Sequence, residues 1–247
     1  LWPFTAQGQA PQVGPPKTLT PSTAVPNERA AVSPAGQRFA AVGGHAWLGS
    51  VAGDSAPIRI EQGERNTWVN FSRDGRWLCL CQFKDTQLKI RDGFTGAFVT
   101  NLPTGAADFR FTPAGDQLVS FLPGRITFWQ AGSWARLREI PFGDDWKHSN
   151  IIDFWPDGSC VLTIDREAML QLWNLEANRE IATLWLPIES GGGNAAFDPS
   201  GRRMAVTAGR PYVDLWDFTA LRRELARLGL DWPEENPGKD FVGEKSR

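Results

Sequence analysis

Short apolar runs recur along the chain, and each one follows a group of turn-forming residues that includes a glycine. Pro presets the backbone of such a turn and Gly tolerates its left-handed position, so the group predicts a hairpin. The run that follows is rich in Val, Leu, Phe and Ala, which predicts a buried strand. Five segments share this phrase: AVSPAGQRFAAV from Ala31, NFSRDGRWLCLC from Asn70, RFTPAGDQLVSF from Arg110, DFWPDGSCVLTI from Asp153 and AFDPSGRRMAVT from Ala196.

The five turn glycines are spaced 39, 40, 43 and 43 residues apart, at Gly36, Gly75, Gly115, Gly158 and Gly201. A second phrase follows the last four: LKIRD at 88–92, ITFWQ at 126–130, LQLWN at 170–174 and VDLWD at 213–217. Two phrases that stay in phase over four periods indicate a structural repeat.

Each repeat predicts four short strands, and four strands in about 40–45 residues is the period of a β-propeller blade. Helical repeats of similar period need amphipathic helices that tolerate few prolines, whereas this chain has 18 Pro and 25 Gly. The sequence therefore predicts an all-β propeller with about five four-stranded blades in this chain.

The repeat phrases resemble those of bacterial WD-repeat proteins, most clearly in SPAG at 33–36, DPSG at 198–201 and LWD at 215–217. The resemblance spans residues 1–218 and implies a scaffold for protein–protein interaction. Strong repeats of that family place a Gly-His pair before the first strand, but His45 and His148 do not stand there. We therefore expect apolar packing by the twelve Trp and fifteen Phe to hold the blades together.

The segment LRRELARLGLDWP at 221–233 is similar to the C-terminal ending of many bacterial WD-repeat proteins. Those proteins are often multi-domain chains with an N-terminal serine/threonine kinase. The resemblance implies that this chain is the C-terminal part of a larger protein.

The same segment predicts one amphipathic helix near 219–228, with Leu221, Leu225 and Leu228 on its apolar face. We expect this helix to pack on its own propeller, with Arg222, Arg223 and Glu224 facing water. Gly229 is a candidate cap, and Leu230 and Trp232 are expected to anchor the following segment on the last blade. Residues 234–247 are predicted to form a flexible tail.

The chain opens with LWPF, which resembles the end of a third strand. We therefore expect the chain to enter in the middle of a blade, with an outer strand near 13–20. That strand either closes the ring by pairing with 212–217, or the ring continues in upstream blades that this sequence does not contain. The predicted units are 1–27 (partial), 28–63, 64–104, 105–148, 149–190 and 191–218 (partial), followed by 219–233 and 234–247.

Composition narrows the possible partners and compartment. A net charge of −2 and a pI of about 5.8 argue against a nucleic-acid partner. Cys79, Cys81 and Cys160 form no paired framework, and no signal peptide or apolar run of about 18 residues is visible. We expect a reducing, cytoplasmic setting and no membrane span.

The sequence shows no catalytic or cofactor signature. Asp144, Asp145 and His148 are three candidate metal ligands in one loop without a fourth, which favours an ordinary exposed loop. The glycine-rich stretch at 190–194 lacks the Lys-Ser/Thr and helix that would bind a phosphate. We therefore expect no catalytic, cofactor-binding or metal-binding residues and no enzyme activity.

A ring of cations and tryptophans is the candidate binding site. In a propeller, loops joining second and third strands share one face with loops between blades, and Arg and Trp are common interface anchors. The predicted rim could receive an acidic peptide. It comprises Arg65, Trp68, Lys84, Arg125, Trp146, Lys147, Arg166 and Arg210.

Two functions therefore compete at this point. The leading hypothesis is a non-catalytic scaffold within a larger bacterial protein or complex. The alternative is the sensor half of an enzyme such as a serine/threonine kinase, or, less favoured, a propeller hydrolase. A hydrolase would need carboxylates and histidine converging on the channel, and the sequence offers no such cluster.

Overall fold

The computed structural model describes residues 4–5, 12–13, 19, 27–62, 66–82, 87–104, 108–122, 124–141, 150–164, 169–185, 194–207 and 213–231. The fold of these residues is all-β, with antiparallel sheets and one C-terminal helix. The chain divides into two compact units, residues 1–107 and residues 108–247.

The first unit contains a two-stranded ribbon and two four-stranded sheets. The ribbon pairs β1 (Phe4–Thr5) with β2 (Gln12–Val13). Blade 1 consists of β3 (Asn27–Val32), β4 (Arg38–Gly43), β5 (His45–Ser50) and β6 (Ile58–Gln62). Blade 2 consists of β7 (Asn66–Phe71), β8 (Trp77–Gln82), β9 (Leu88–Asp92) and β10 (Phe98–Leu102).

The second unit contains three more sheets and the helix. Blade 3 consists of β11 (Asp108–Phe111), β12 (Gln117–Leu122), β13 (Arg125–Gln130) and β14 (Arg136–Pro141). Blade 4 consists of β15 (Asn150–Phe154), β16 (Cys160–Ile164), β17 (Met169–Asn174) and β18 (Arg179–Trp185). Blade 5 consists of β19 (Asn194–Phe197), β20 (Arg203–Thr207) and β21 (Val213–Asp217), and α1 (Phe218–Arg227) follows it.

Within each unit, the first strands of successive blades contact one another: β3 contacts β7, and β15 contacts both β11 and β19. First strands therefore form the inner edge and fourth strands the outer edge, which is the arrangement of a β-propeller. The predicted all-β propeller of five blades is confirmed. The described residues supply four strands to each of blades 1–4 and three to blade 5.

The first hairpin of every blade is built in the same way, as the repeat phrase predicts. All five turn glycines have φ between 69° and 79°, where a side chain would be strained. In blade 1, the Gly36 N–H donates to the Ser33 carbonyl (2.8 Å) and the Ser33 N–H donates to the Arg38 carbonyl (2.9 Å). The Ser33 hydroxyl accepts from the Arg38 N–H at 3.0 Å.

Blade 4 departs from this pattern because Trp155 stands where blade 1 has Ser33. Its indole cannot accept the hydrogen bond that the serine hydroxyl accepts. Instead its ring packs against Phe197 (centroids 4.8 Å apart) and Phe218 (5.2 Å). Trp155 thereby ties the blade 4 hairpin to blade 5 and to the start of α1.

The helix packs on its own unit, as expected, and begins and ends within one residue of the predicted range. Leu221 and Leu225 contact the buried cluster that includes Cys160, Leu162 and Met204. At its N-terminus, the Asp217 carboxylate accepts from the Ala220 N–H at 2.9 Å.

Three details of the predicted C-terminal region are wrong. Leu228 is 70% exposed and so does not belong to the buried face of the helix, and Leu230 is 67% exposed and does not anchor the chain on the last blade. Arg222 does not face water: its guanidinium makes two hydrogen bonds of 3.0 Å to the Asp231 carboxylate. Gly229, with φ of 68°, turns the chain back at the helix end, which brings this carboxylate to the arginine. Trp232 lies outside the described residues.

The predicted closure of the last blade involves residues 15–20 and 212, which lie outside the described residues except for Leu19. At the start of the chain, the structure shows the ribbon of β1 and β2, so the second of these strands lies at Gln12–Val13.

Candidate partner-binding surface

Two of the eight predicted rim residues lie in the described part of the chain, namely Trp68 and Arg125. The other six fall outside it: Arg65, Lys84, Trp146, Lys147, Arg166 and Arg210. The loop that holds Asp144, Asp145 and His148 and the glycines of 190–193 also fall outside it.

Trp68 lies on β7, the first strand of blade 2, and Arg29 lies on β3, the first strand of blade 1. The carbon at the centre of the Arg29 guanidinium is 3.2 Å from the centroid of the Trp68 ring. Trp68 is half-buried and Arg29 is exposed. This is a stacked cation–π pair at the inner edge of the first unit, and we call it the inner pair.

The structure corrects the expected placement of two residues. Trp68 and Arg125 were predicted in loops, but each lies in a strand. Thr67 is an extra residue in the β7–β8 ladder, and this bulge lets the strand start at Asn66. His45 starts β5, with its ring edge-on to Trp47 at 6.3 Å, and Arg125 starts β13 opposite Pro141.

Sequence reasoning missed Arg29, although the repeat carries a signal that could have found it. Arg29 stands four residues before the hairpin-opening Ser33, and Trp68 stands four residues before the equivalent Ser72. Equal positions on adjacent first strands lie side by side in a propeller. Aligning the repeats by these serines would therefore have paired Arg29 with Trp68.

In the second unit, the equivalent position of blade 3 carries Asp108. Its carboxylate is almost fully buried and accepts from the Phe109 N–H at 2.9 Å and from the Arg110 guanidinium at 3.3 Å. On the neighbouring first strand, Asp153 accepts from the Phe154 N–H (2.8 Å) and from the Phe197 N–H (3.1 Å). Asp153 therefore joins β15 to β19, and the two hydrogen bonds of Asp108 lie within β11.

The three cysteines lie in the described part of the chain, and all of them are buried. Burial raises the pKa of Cys79 and raises that of Cys160 to about 12, so neither is a ready nucleophile. No group of three or more His, Cys, Asp or Glu is placed to hold a metal ion in the described part of the chain. Among the same residues, no helix has the length and apolar character that a bilayer crossing requires.

The comparisons with known proteins identify the fold. No protein-family model matches the chain, and no curated protein matches it. Among solved structures, a chain of Kuenenia stuttgartiensis hydrazine synthase is similar, with a TM-score of 0.62 and 14% sequence identity. The match covers 78% of this chain and 59% of that chain. At this level of identity the likeness shows a shared fold alone.

Proposed function

We propose that this protein is a non-catalytic β-propeller of the bacterial WD-repeat type that binds protein partners. The repeat phrases support this reading, because SPAG and DPSG form the hairpin turns that they predict. The inner pair carries the proposal. Its indole is oriented by the stacked guanidinium, and Arg and Trp are the residue types most enriched at binding hot spots.

The chemistry of the pair favours an acidic segment as the bound partner. Arg29 is exposed, and its charge lies at the surface of a unit with ten Lys and Arg against seven Asp and Glu. A carboxylate that reached the guanidinium would gain a charge-assisted hydrogen bond, while the ring of Trp68 would pack against apolar atoms beside it.

The carboxylates of the second unit support binding rather than catalysis. Asp108 and Asp153 each accept backbone hydrogen bonds, and Asp108 also accepts from Arg110. A general base needs a carboxylate that is open to the substrate's proton. Asp153 is engaged in joining β15 to β19, and Asp108 is engaged by its neighbours in β11.

The test compares Arg29→Ala and Trp68→Ala with the unaltered protein for binding of a fluorescent Asp/Glu-rich peptide. We expect each substitution to weaken binding by about 1–3 kcal/mol, the range of an interface anchor. Arg29→Ala should also reduce the loss of affinity between about 0.1 and 1 M salt, over which the Debye length falls from about 10 to 3 Å.

Arg138→Ala is the matched control. Arg138 is also exposed and stacks on an aromatic ring, that of Phe128 at 4.1 Å, but it lies on the outer strand of blade 3. The Arg138→Ala variant should bind the peptide as the unaltered protein does. Equal binding by Arg29→Ala and the unaltered protein, or equal loss in Arg138→Ala, would contradict the proposal.

A further inference from the structure

The outer hairpin of blade 2, which joins β9 to β10, exposes apolar side chains that the fold of the blade does not require. Phe94 and Phe98 are each 56% exposed, and Val99 is 38% exposed. Ile58, at the start of the outer strand of blade 1, is 45% exposed. We call these four residues the outer patch, and all of them lie in the first unit.

Gly96, at the tip of this hairpin, lies close to the outer strand of blade 1. Its φ is +74°, and a Cβ placed on it would lie 2.4 Å from Ile60 Cγ2 and 3.4 Å from Ile58 Cδ1. The absence of a side chain therefore lets the hairpin lie directly against the outer strand of blade 1. Phe94 and Phe98 are each two residues from this contact.

The hairpin is held in place by three side chains from two strands, β4 and β9. The Asp92 carboxylate accepts from the N–H groups of Phe94 (3.0 Å) and Thr95 (2.8 Å). The Arg38 guanidinium donates to the Phe94 carbonyl at 2.8 Å, and the Arg91 guanidinium donates to the Gly96 carbonyl at 2.7 Å. A surface that is ordered in advance loses little conformational freedom when it binds.

The repeat supplies an internal comparison for the two phenylalanines. Phe98 pairs with Arg91 of the third strand, and the residues that pair at the same place are Arg136 in blade 3 and Glu180 in blade 4. The positions equivalent to Phe94 hold Gly132 and Glu176. The equivalent hairpins of blades 3 and 4 therefore form with charged or small residues at these positions. The architecture of the hairpin does not explain why blade 2 has an exposed aromatic pair there.

Charge indicates which partner this surface fits. The first unit has a net charge of +3, whereas the second has sixteen Lys and Arg against 21 Asp and Glu, a net charge of −5. Beside the hairpin, Arg76 is exposed, and its carbonyl accepts from the Gly93 N–H at 2.7 Å. The nearby carboxylates are already engaged: Asp92 by the turn, Asp74 by the Ser72 hydroxyl and the Arg76 N–H, and Glu61 by Lys89 and Arg91.

We propose that the outer patch binds a segment of a partner protein in which an aromatic or aliphatic anchor is flanked by Asp or Glu. The anchor packs against Phe94 and Phe98, and the flanking carboxylates lie toward Arg38 and Arg76. A lipid surface is less suited, because electrostatic adhesion to a bilayer typically uses about four to eight clustered Lys or Arg. This site is separate from the inner pair, and its test does not depend on the outcome there.

The experiment selects peptides from a random phage-displayed library on the full chain, then measures their affinity for variants. Phe98→Arg places in blade 2 the residue that blade 3 has at the equivalent position. Residue 98 pairs with Arg91, so we expect a small loss of stability in a chain that still folds. The variant also adds a positive charge, so any loss of an acidic peptide reflects the lost apolar contact. We expect at least tenfold weaker binding with a melting temperature that falls only slightly.

Leu137→Arg is the matched control, because Leu137 is a 47% exposed residue on the outer strand of blade 3. The Leu137→Arg variant should bind the peptides as the unaltered chain does. Hydrogen–deuterium exchange of the unaltered chain with bound peptide should slow at 94–99. This measurement tests whether the peptide binds at the outer patch even if Phe98→Arg fails to fold.

Four outcomes would overturn the proposal. The first is that no acidic, anchored peptide is enriched, and the second is that such peptides bind Phe98→Arg equally well. The third is binding to phosphatidylcholine/phosphatidylserine vesicles that depends on Phe98, which would assign the patch to a lipid surface. The fourth is concentration-dependent self-association that Phe98→Arg abolishes, which would assign it to a second copy of the chain.

Discussion

Replacing Trp155 with serine sets two measurable effects against each other. Trp155 is 4% exposed and lies between the rings of Phe197 and Phe218. Its position in the hairpin is the one that Ser33 and Ser72 occupy in blades 1 and 2, where the hydroxyl accepts a backbone N–H. Serine at 155 would therefore restore the hydrogen bond of the repeat and remove the aromatic contact.

The two contributions differ in size. A hydrogen bond of this kind stabilises a protein by about 1 kcal/mol. Truncating a buried Trp costs about 3–5 kcal/mol in lost apolar burial and cavity formation. Packing should dominate, so Trp155→Ser is expected to lower the free energy of unfolding by about 2–4 kcal/mol, a large part of a typical total of about 5–15 kcal/mol.

Urea unfolding followed by far-ultraviolet circular dichroism measures this change, because the midpoint shifts at constant slope when only stability is altered. Ser33→Ala is the control, since it removes the hydrogen bond that the Ser33 hydroxyl accepts from the Arg38 N–H and should cost about 1 kcal/mol. If Trp155→Ser unfolds at the same urea concentration as the unaltered protein, the Trp155 contacts do not stabilise the second unit and the reasoning fails.

Three further predictions follow from the turns and the thiols. Gly36 and Gly201 have the same φ of +69°, but a Cβ on Gly201 would lie 3.0 Å from the indole nitrogen of Trp155, while a Cβ on Gly36 would meet nothing within 4 Å. Thermal melting should therefore show a larger loss of stability for Gly201→Ala than for Gly36→Ala. The Thr95 N–H and hydroxyl lower the pKa of Asp92 in the folded protein. The carboxylate therefore contributes stability above about pH 4, and this stability is lost as pH falls through the lower folded pKa. Asp92→Ala should reduce the loss of stability at acid pH. Cys79 and Cys160 should resist a thiol reagent near pH 8 in the native protein and react once it unfolds, and fast labelling before unfolding would contradict their burial.

The periodic features of the fold could be predicted because they depend on local chemistry. A Pro/Asp/Gly group followed by an apolar run specifies a hairpin wherever it occurs, so the five turns and the blade period follow from spacing alone. The stripe formed by Leu221 and Leu225 likewise predicts α1 and the face that it buries.

The contacts that join strands or segments could not be read from the same pattern. The inner pair depends on the register of two first strands in different blades, and the Arg222–Asp231 contact depends on how the chain turns after α1. The exposure of Leu228 follows from the same turn, because the helix ends at Arg227 before that side chain reaches the apolar face.

The candidate site was predictable in residue type more than in position. Arg and Trp were expected at the binding surface, and Trp68 lies in the inner pair, but its partner Arg29 is on a strand that the prediction left out. Loops were expected to carry the binding residues because the loops that join second and third strands share one face of a propeller with the loops between blades. Trp68 instead pairs with Cys81 in the β7–β8 ladder and so belongs to the strand.

Hydrogen–deuterium exchange with a bound acidic peptide tests the central claim most directly, because it locates the contact on the chain. If this propeller binds partners through the inner pair, exchange should slow in β3 and β7, around Arg29 and Trp68, and the slowing should disappear in Arg29→Ala. A peptide that binds while exchange in these two strands stays unchanged would contradict the account.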